Sequence, residues 1–158
     1  MGRISRRMLA ASLLLSTLSA AIYLGYGRYQ QGHLGFPLDD AWIHQTYARN
    51  LARYGQFAYN PDQPSPGSTA PLWTLLLSPA YLLGLDFRLW TYGLGVICLA
   101  LTGWMAWRLG ERLFPGRKWV AALVGLFCLL EWHLAWAAFS GMETVLFTFL
   151  SLLLVERY

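Results

Sequence analysis

Five apolar runs separated by polar joints lay out this chain. Arg3, Arg6 and Arg7 precede the first, Met8 to Tyr26, which at about 19 residues is long enough to cross roughly 30 Å of hydrocarbon as a helix. Ser19-Ala20-Ala21 has the small residues of a signal-peptide cleavage site, yet the run continues through Ile22, Tyr23 and Leu24, so an uncleaved helix over 8–26 is expected. The later runs are Pro71–Leu85, Leu89–Trp107, Trp119–Phe139 and Thr144–Val155. Between the first and second lies the longest polar stretch, Phe36 to Trp73.

That stretch carries its own helical pattern. Asp39-Asp40 suits a helix start, where a carboxylate caps free N–H groups and meets the positive end of the dipole. Ile43, Tyr47, Leu51 and Tyr54 then recur at helical spacing, with Gln45, Arg49 and Arg53 on another face and Gly55 as the stop. The pattern predicts an amphipathic helix lying along a membrane surface, aromatic side in, within an outer loop over 27–70. Asn60 to Gly67, rich in proline and glycine, is expected to be irregular.

Charge decides the path of the ambiguous run. Pro71–Leu85 holds about 15 residues interrupted by Pro79 and Gly84. If it spanned, Arg108, Arg112, Arg117 and Lys118 would fall outside, against the positive-inside tendency. It therefore reads as a re-entrant or interfacial helix. Spans over 89–107 and 119–139 follow, joined by a cytoplasmic turn at Pro115-Gly116, and 144–155 starts a further one. The expected fold class is an all-α integral membrane protein with three to four transmembrane helices, a cytoplasmic N-terminus and the first large loop outside.

Composition agrees. The 158 residues are 56% hydrophobic, 16% aromatic and only 13% charged, about half the charge of a soluble domain, with mean hydropathy +0.39. The net charge of +4 sits in clusters beside apolar runs, which marks orientation rather than nucleic-acid binding. Cys98 and Cys128 lie inside apolar runs and read as small buried hydrophobes. Tryptophans 73, 104, 107, 119, 132 and 136 read as interface belts and packing.

Each candidate for chemistry has two readings. Asp39 and Asp40 either cap a helix or supply a general base and a metal ligand. His44, one turn after Asp40, either shares a metal with it or sits at the membrane edge. Arg49 and Arg53, one turn apart, either grip a phosphate or snorkel to headgroups. Ser140-x-x-Glu143 matches a capping box, although Glu143 is also on the same side as Asp39 and Asp40 and can face them across a cleft. Glu131 and His133 lie within the third span: either they form an intramembrane polar site, or Glu131 is simply a protonated glutamate or one paired with a polar group on another helix or subunit.

Taken together, Asp39-Asp40-Ala41-Trp42-Ile43, Tyr47-Ala48-Arg49-Asn50-Leu51-Ala52, Tyr59-Asn60-Pro61, Gly67-Ser68-Thr69-Ala70-Pro71-Leu72-Trp73 and Ser140-Gly141-Met142-Glu143-Thr144 resemble the N-terminal part of the GT-C superfamily of integral membrane glycosyltransferases. The nearest likeness is to bacterial family-39-like and arabinofuranosyltransferase-like members. The resemblance covers nearly the whole chain but about the first third of a typical member, so a fragment or one part of a split enzyme is expected, in the bacterial inner membrane. It implies sugar transfer from a polyprenyl-phosphate donor to an acceptor on the non-cytoplasmic face. It also implies Asp39 or Asp40 as catalytic base or metal-linked residue, Glu143 sharing the site, and a divalent ion such as magnesium or manganese as an optional cofactor. Arg49 and Arg53 would meet the lipid phosphate. A second polypeptide completing the fold is an expected partner. The alternative expectation is a catalytically inactive helical subunit of a larger membrane complex.

Overall fold

The computed structural model describes residues 3–158. α1 (Arg3–Gln31) extends past the expected span at both ends. No proline intervenes, Gly25 and Gly27 stay helical, and Gly32, with a φ of 74°, ends the helix. A second long helix, α4 (Phe87–Leu113), starts at Asp86, whose carboxylate accepts from the backbone N–H groups of Arg88 and Leu89. At about 40 Å each, these two helices are long and apolar enough to cross a membrane. Helix α4 is the hub: 56% of its most apolar stretch is buried against 17% for α1, and α1 and the helices Pro71–Leu82, Lys118–Leu130, Trp132–Phe139 and Thr144–Arg157 all pack on it.

The expected uninterrupted span over 119–139 is broken. α5 (Lys118–Leu130) and α6 (Trp132–Phe139) meet at Glu131 with a 49° bend. Neither proline nor glycine causes it. Glu131 leaves the helix at φ −65°, ψ 120°, and its side chain accepts from the N–H of Leu134 at 2.9 Å while contacting Nδ1 of His133. A side-chain cap thus starts a new helix inside an apolar run. Helix α5 crosses α4 at backbone contact, since a Cβ on Gly125 would lie 2.9 Å from the carbonyl oxygen of Gly103 and 3.0 Å from Cβ of Trp107. The chain continues into α7 (Thr144–Arg157).

The polar stretch forms α2 (Asp39–Tyr54), which packs on α3 (Pro71–Leu82). As expected, Gly55 closes α2 at φ 67°, its N–H bonded to the carbonyl of Leu51. Helix α3 has 12 residues, about 18 Å and short of a span. The segment between them is more regular than its prolines suggest. β1 (Ala58–Asn60) pairs antiparallel with β2 (Gln63–Pro64) around Asp62, at φ 65°. The buried amide of Asn50 donates to the carbonyls of Ala58 (2.9 Å) and Tyr59 (2.8 Å), replacing ladder bonds that a proline strand cannot donate.

The tryptophans divide between the two expected roles, and one of the two cysteines departs from its expectation. Trp73 and Trp107 are buried packing residues, while Trp119 and Trp132 keep the exposure of a belt. Cys98 is buried, Cys128 only partly, and both are free thiols.

Candidate functional site

Helix α2 is rotated relative to the face its apolar residues suggested. Its buried positions are Ala41, His44, Gln45, Tyr47, Ala48 and Asn50, so three polar side chains point into the protein. Gln45, expected beside the arginines, lies inside: its Nε2 donates to Thr91 Oγ1 at 2.8 Å and its Oε1 accepts from the Tyr81 hydroxyl at 2.9 Å. These bonds offset the cost of burying the amide. Burial pushes the Tyr81 phenol up to about 12, against the opposing field of Arg49 and Arg53. Both arginines are exposed, and neither forms an ion pair among the described residues.

His44 is 2% exposed and anchors a row of polar contacts running through three elements. Its Nδ1 lies 3.3 Å from Ser68 Oγ, and Ser68 Oγ lies 2.8 Å from Thr74 Oγ1 on α3. On the other side, Nε2 is 3.3 Å from Oε2 of Glu143. The two atoms are within ion-pair reach but off hydrogen-bond alignment, and neither has another partner. The expected metal pairing of Asp40 with His44 finds no further ligand: no group of three or more His, Cys, Asp or Glu side chains gathers among the described residues. The imidazole is turned toward Glu143 and Ser68 instead.

The turn before α7 delivers Glu143. Gly141 adopts φ 87°, where a Cβ would come within 2.8 Å of Ala41 Cβ and of the Phe36 ring. Its carbonyl accepts a 2.9 Å hydrogen bond from the buried indole of Trp73. The capping box expected from Ser140 and Glu143 does not form. Ser140 Oγ donates back to the carbonyl of Ala137 at 2.9 Å, and Glu143 occupies the N-cap position of α7 without a side-chain cap. Its carboxylate is committed to His44 instead.

Glu143 also walls a groove of about 400 Å³, whose other sides include Leu72, Trp73, Leu146, Phe147 and Leu150. The carboxylate therefore has one oxygen buried against an imidazole and stands at the edge of an apolar channel. Such an arrangement can accept a proton from a hydroxyl while the imidazole balances the other oxygen.

Asp39 and Asp40 fall in the first turn of α2, exposed, with Leu38 rather than an aspartate at the N-cap position and no side-chain cap bond. Their charges still lie at the positive end of the helix dipole, and Asp40 precedes His44 by one turn. Glu131 and His133 stand apart at the α5–α6 break, where Glu131 serves as a cap. Ser68, Thr74, Trp73 and Gly141 are the contributors that sequence alone did not single out for a role. Hydroxyls in a turn-rich loop and one tryptophan among eight carry no signal of a specific partner.

Comparison of the chain with protein-family models, with curated proteins and with solved structures finds no match.

Proposed function

We propose that this chain is the site-bearing N-terminal part of a membrane glycosyltransferase of the GT-C kind, with its first loop on the non-cytoplasmic face of a bacterial inner membrane. The observation that carries the reading is the placement of Glu143: its carboxylate sits beside buried His44 and edges an apolar groove. An apolar groove suits a polyprenyl chain, and a carboxylate at its edge suits deprotonation of an acceptor hydroxyl.

In this reading Glu143 takes the hydroxyl proton as the acceptor oxygen attacks the anomeric carbon. The bond from that carbon to the lipid phosphate breaks, and the phosphate leaves with both electrons. Arg49 and Arg53, exposed, one turn apart and without an ion-pair partner among the described residues, do not line the groove. In this reading they hold a lipid phosphate at the exposed side of the helix that carries His44. Asp39 and Asp40, at the exposed start of that helix, orient the acceptor or share the role of base. A second polypeptide, or further spans, would close the site from water.

The test uses membranes containing the chain in its complete enzyme context and a polyprenyl-phosphate donor labelled in the sugar. Transfer is expected to fall by about 10²-fold or more in Glu143→Gln and further when Asp39→Asn and Asp40→Asn are added. Undiminished transfer in the triple variant would sink the reading. A non-catalytic subunit is the second reading, favoured by the exposed Trp132–His133 surface of α6; stoichiometric purification within a complex lacking sugar transfer would support it.

A further inference from the structure

The row Thr74–Ser68–His44–Glu143 contains more order than four polar side chains sharing a neighbourhood. All four meet through single atoms, three of them are at least nine-tenths buried, and hydroxyls and an imidazole each have few ways to place their protons.

With a neutral ring, two arrangements are consistent with these contacts. In the first, Thr74 Oγ1 donates to Ser68 Oγ, Ser68 Oγ donates to His44 Nδ1, and His44 Nε2–H faces the Glu143 carboxylate. Both hydroxyl protons then have acceptors, and Nε2–H sets its positive end toward the carboxylate within ion-pair reach. In the second, His44 Nδ1–H donates to Ser68 and Ser68 donates to Thr74. That leaves the Thr74 proton without an acceptor, since Ser68 is the one hydrogen-bond partner of that hydroxyl among the described residues. It also sets the lone pair of Nε2 against the unpartnered Oε2 of Glu143. A doubly protonated ring would strand the Thr74 proton in the same way. A buried donor left unmade costs about 1–3 kcal/mol, so the first arrangement is favoured.

Among the described residues, no other charged group on α2 or α3 competes for His44 from the packed side. Helix α3, Pro71–Leu82, carries no charged residue, and its one titratable side chain, Tyr81, is bonded to Gln45. On α2 the nearest charge along the helix is Asp40, one turn earlier and exposed. Ser68 is not an alternative nucleophile. It is 7% exposed, is held by Thr74, and does not line the groove.

We infer that Ser68, backed by Thr74, is a positioning residue that fixes His44 as its Nε2–H tautomer, so that the imidazole presents one N–H to Glu143 Oε2 and leaves Oε1 as the working oxygen. The inference rests on the functional reading only for the word "working". The tautomer itself follows from the contacts.

The test is long-range 1H–15N correlation of histidine side chains in the full chain, labelled with 15N-histidine and held in lipid nanodiscs at neutral pH. The chain has three histidines, and His44→Gln identifies the resonances of residue 44. The expected spectrum shows a neutral ring with its proton on Nε2 and an Nδ1 shifted toward the position of a hydrogen-bonded acceptor. Ser68→Ala should move Nδ1 toward the position of an unbonded acceptor, and Ser68→Thr should restore it. A proton on Nδ1, a doubly protonated or metal-bound ring, or an Nδ1 indifferent to Ser68→Ala would overturn the inference. The wild-type spectrum decides the tautomer even if a variant fails to fold. Loss of the glycosyltransferase reading would appear separately, as Glu143→Gln leaving transfer intact while the ring signature holds.

Discussion

The indole N–H of Trp73 donates to the carbonyl of Gly141 across 2.9 Å, bonding α3 to the turn that carries Glu143. Trp73 is 2% exposed and also walls the groove, so one residue fixes both the channel and the carboxylate at its edge. The carbonyl it satisfies belongs to a glycine that no other residue replaces easily.

Gly141→Ala should therefore destabilise the chain and displace Glu143. Its φ of 87° costs a side-chain-bearing residue about 1–3 kcal/mol, and the added methyl meets Ala41 and Phe36. The expected outcome is a lowered thermal midpoint in detergent, together with weakened protection of the α6–α7 turn in hydrogen exchange. An unchanged midpoint would mean that the turn relaxes freely.

Asn50→Ala should loosen the β1–β2 segment ahead of the rest. The amide is 1% exposed and holds two carbonyls, and leaving buried acceptors unsatisfied costs about 1–3 kcal/mol. Limited proteolysis should cut between Phe57 and Pro66 faster in the variant than in the parent.

The start of α4 should be acid-sensitive. The hydrogen bond from the Arg88 side chain holds the Asp86 carboxyl down at about 2, helped by the N–H groups of Leu89 and Arg88 and opposed by burial. The folded state thus favours the charged form. Its stabilisation is complete above about pH 4, the ordinary carboxylate value, and is lost as pH falls toward about 2. At 38% side-chain exposure the ion pair is screened, so the effect is small and weakens with salt. Thermal midpoints across that window should fall less steeply in Asp86→Asn than in the parent.

Gly125→Leu should push α5 off α4, because the Cβ position is already occupied by Gly103 and Trp107. Overpacking costs about 1–3 kcal/mol. Phe127→Leu, two residues away and 71% exposed, is the control and should leave the midpoint nearly unchanged.

What sequence reveals here follows from range. Helices α1 and α4 were legible because long apolar runs have few alternatives, and Gly55 marked the end of α2 through its local backbone freedom. The break at Glu131 was hidden, since Leu129-Leu130-Glu131-Trp132 contains no helix breaker and the cap arises from a side chain folding back. The buried face of α2 was misread because Gln45 and Asn50 find partners on other elements, so polarity did not mark the surface. Glu143 is legible as a site candidate from its neighbours in sequence, but its contact with His44 joins α2 to the start of α7, far apart along the chain, and leaves no local trace.

A double-mutant cycle on His44 and Glu143 tests most directly whether the two act as one unit. Sugar transfer from the labelled polyprenyl-phosphate donor is measured for the parent, His44→Gln, Glu143→Gln and the double variant in the same membranes. Residues that act through each other lose function once, so the double variant should be no slower than Glu143→Gln alone. Losses that multiply would show two independent groups and contradict the account.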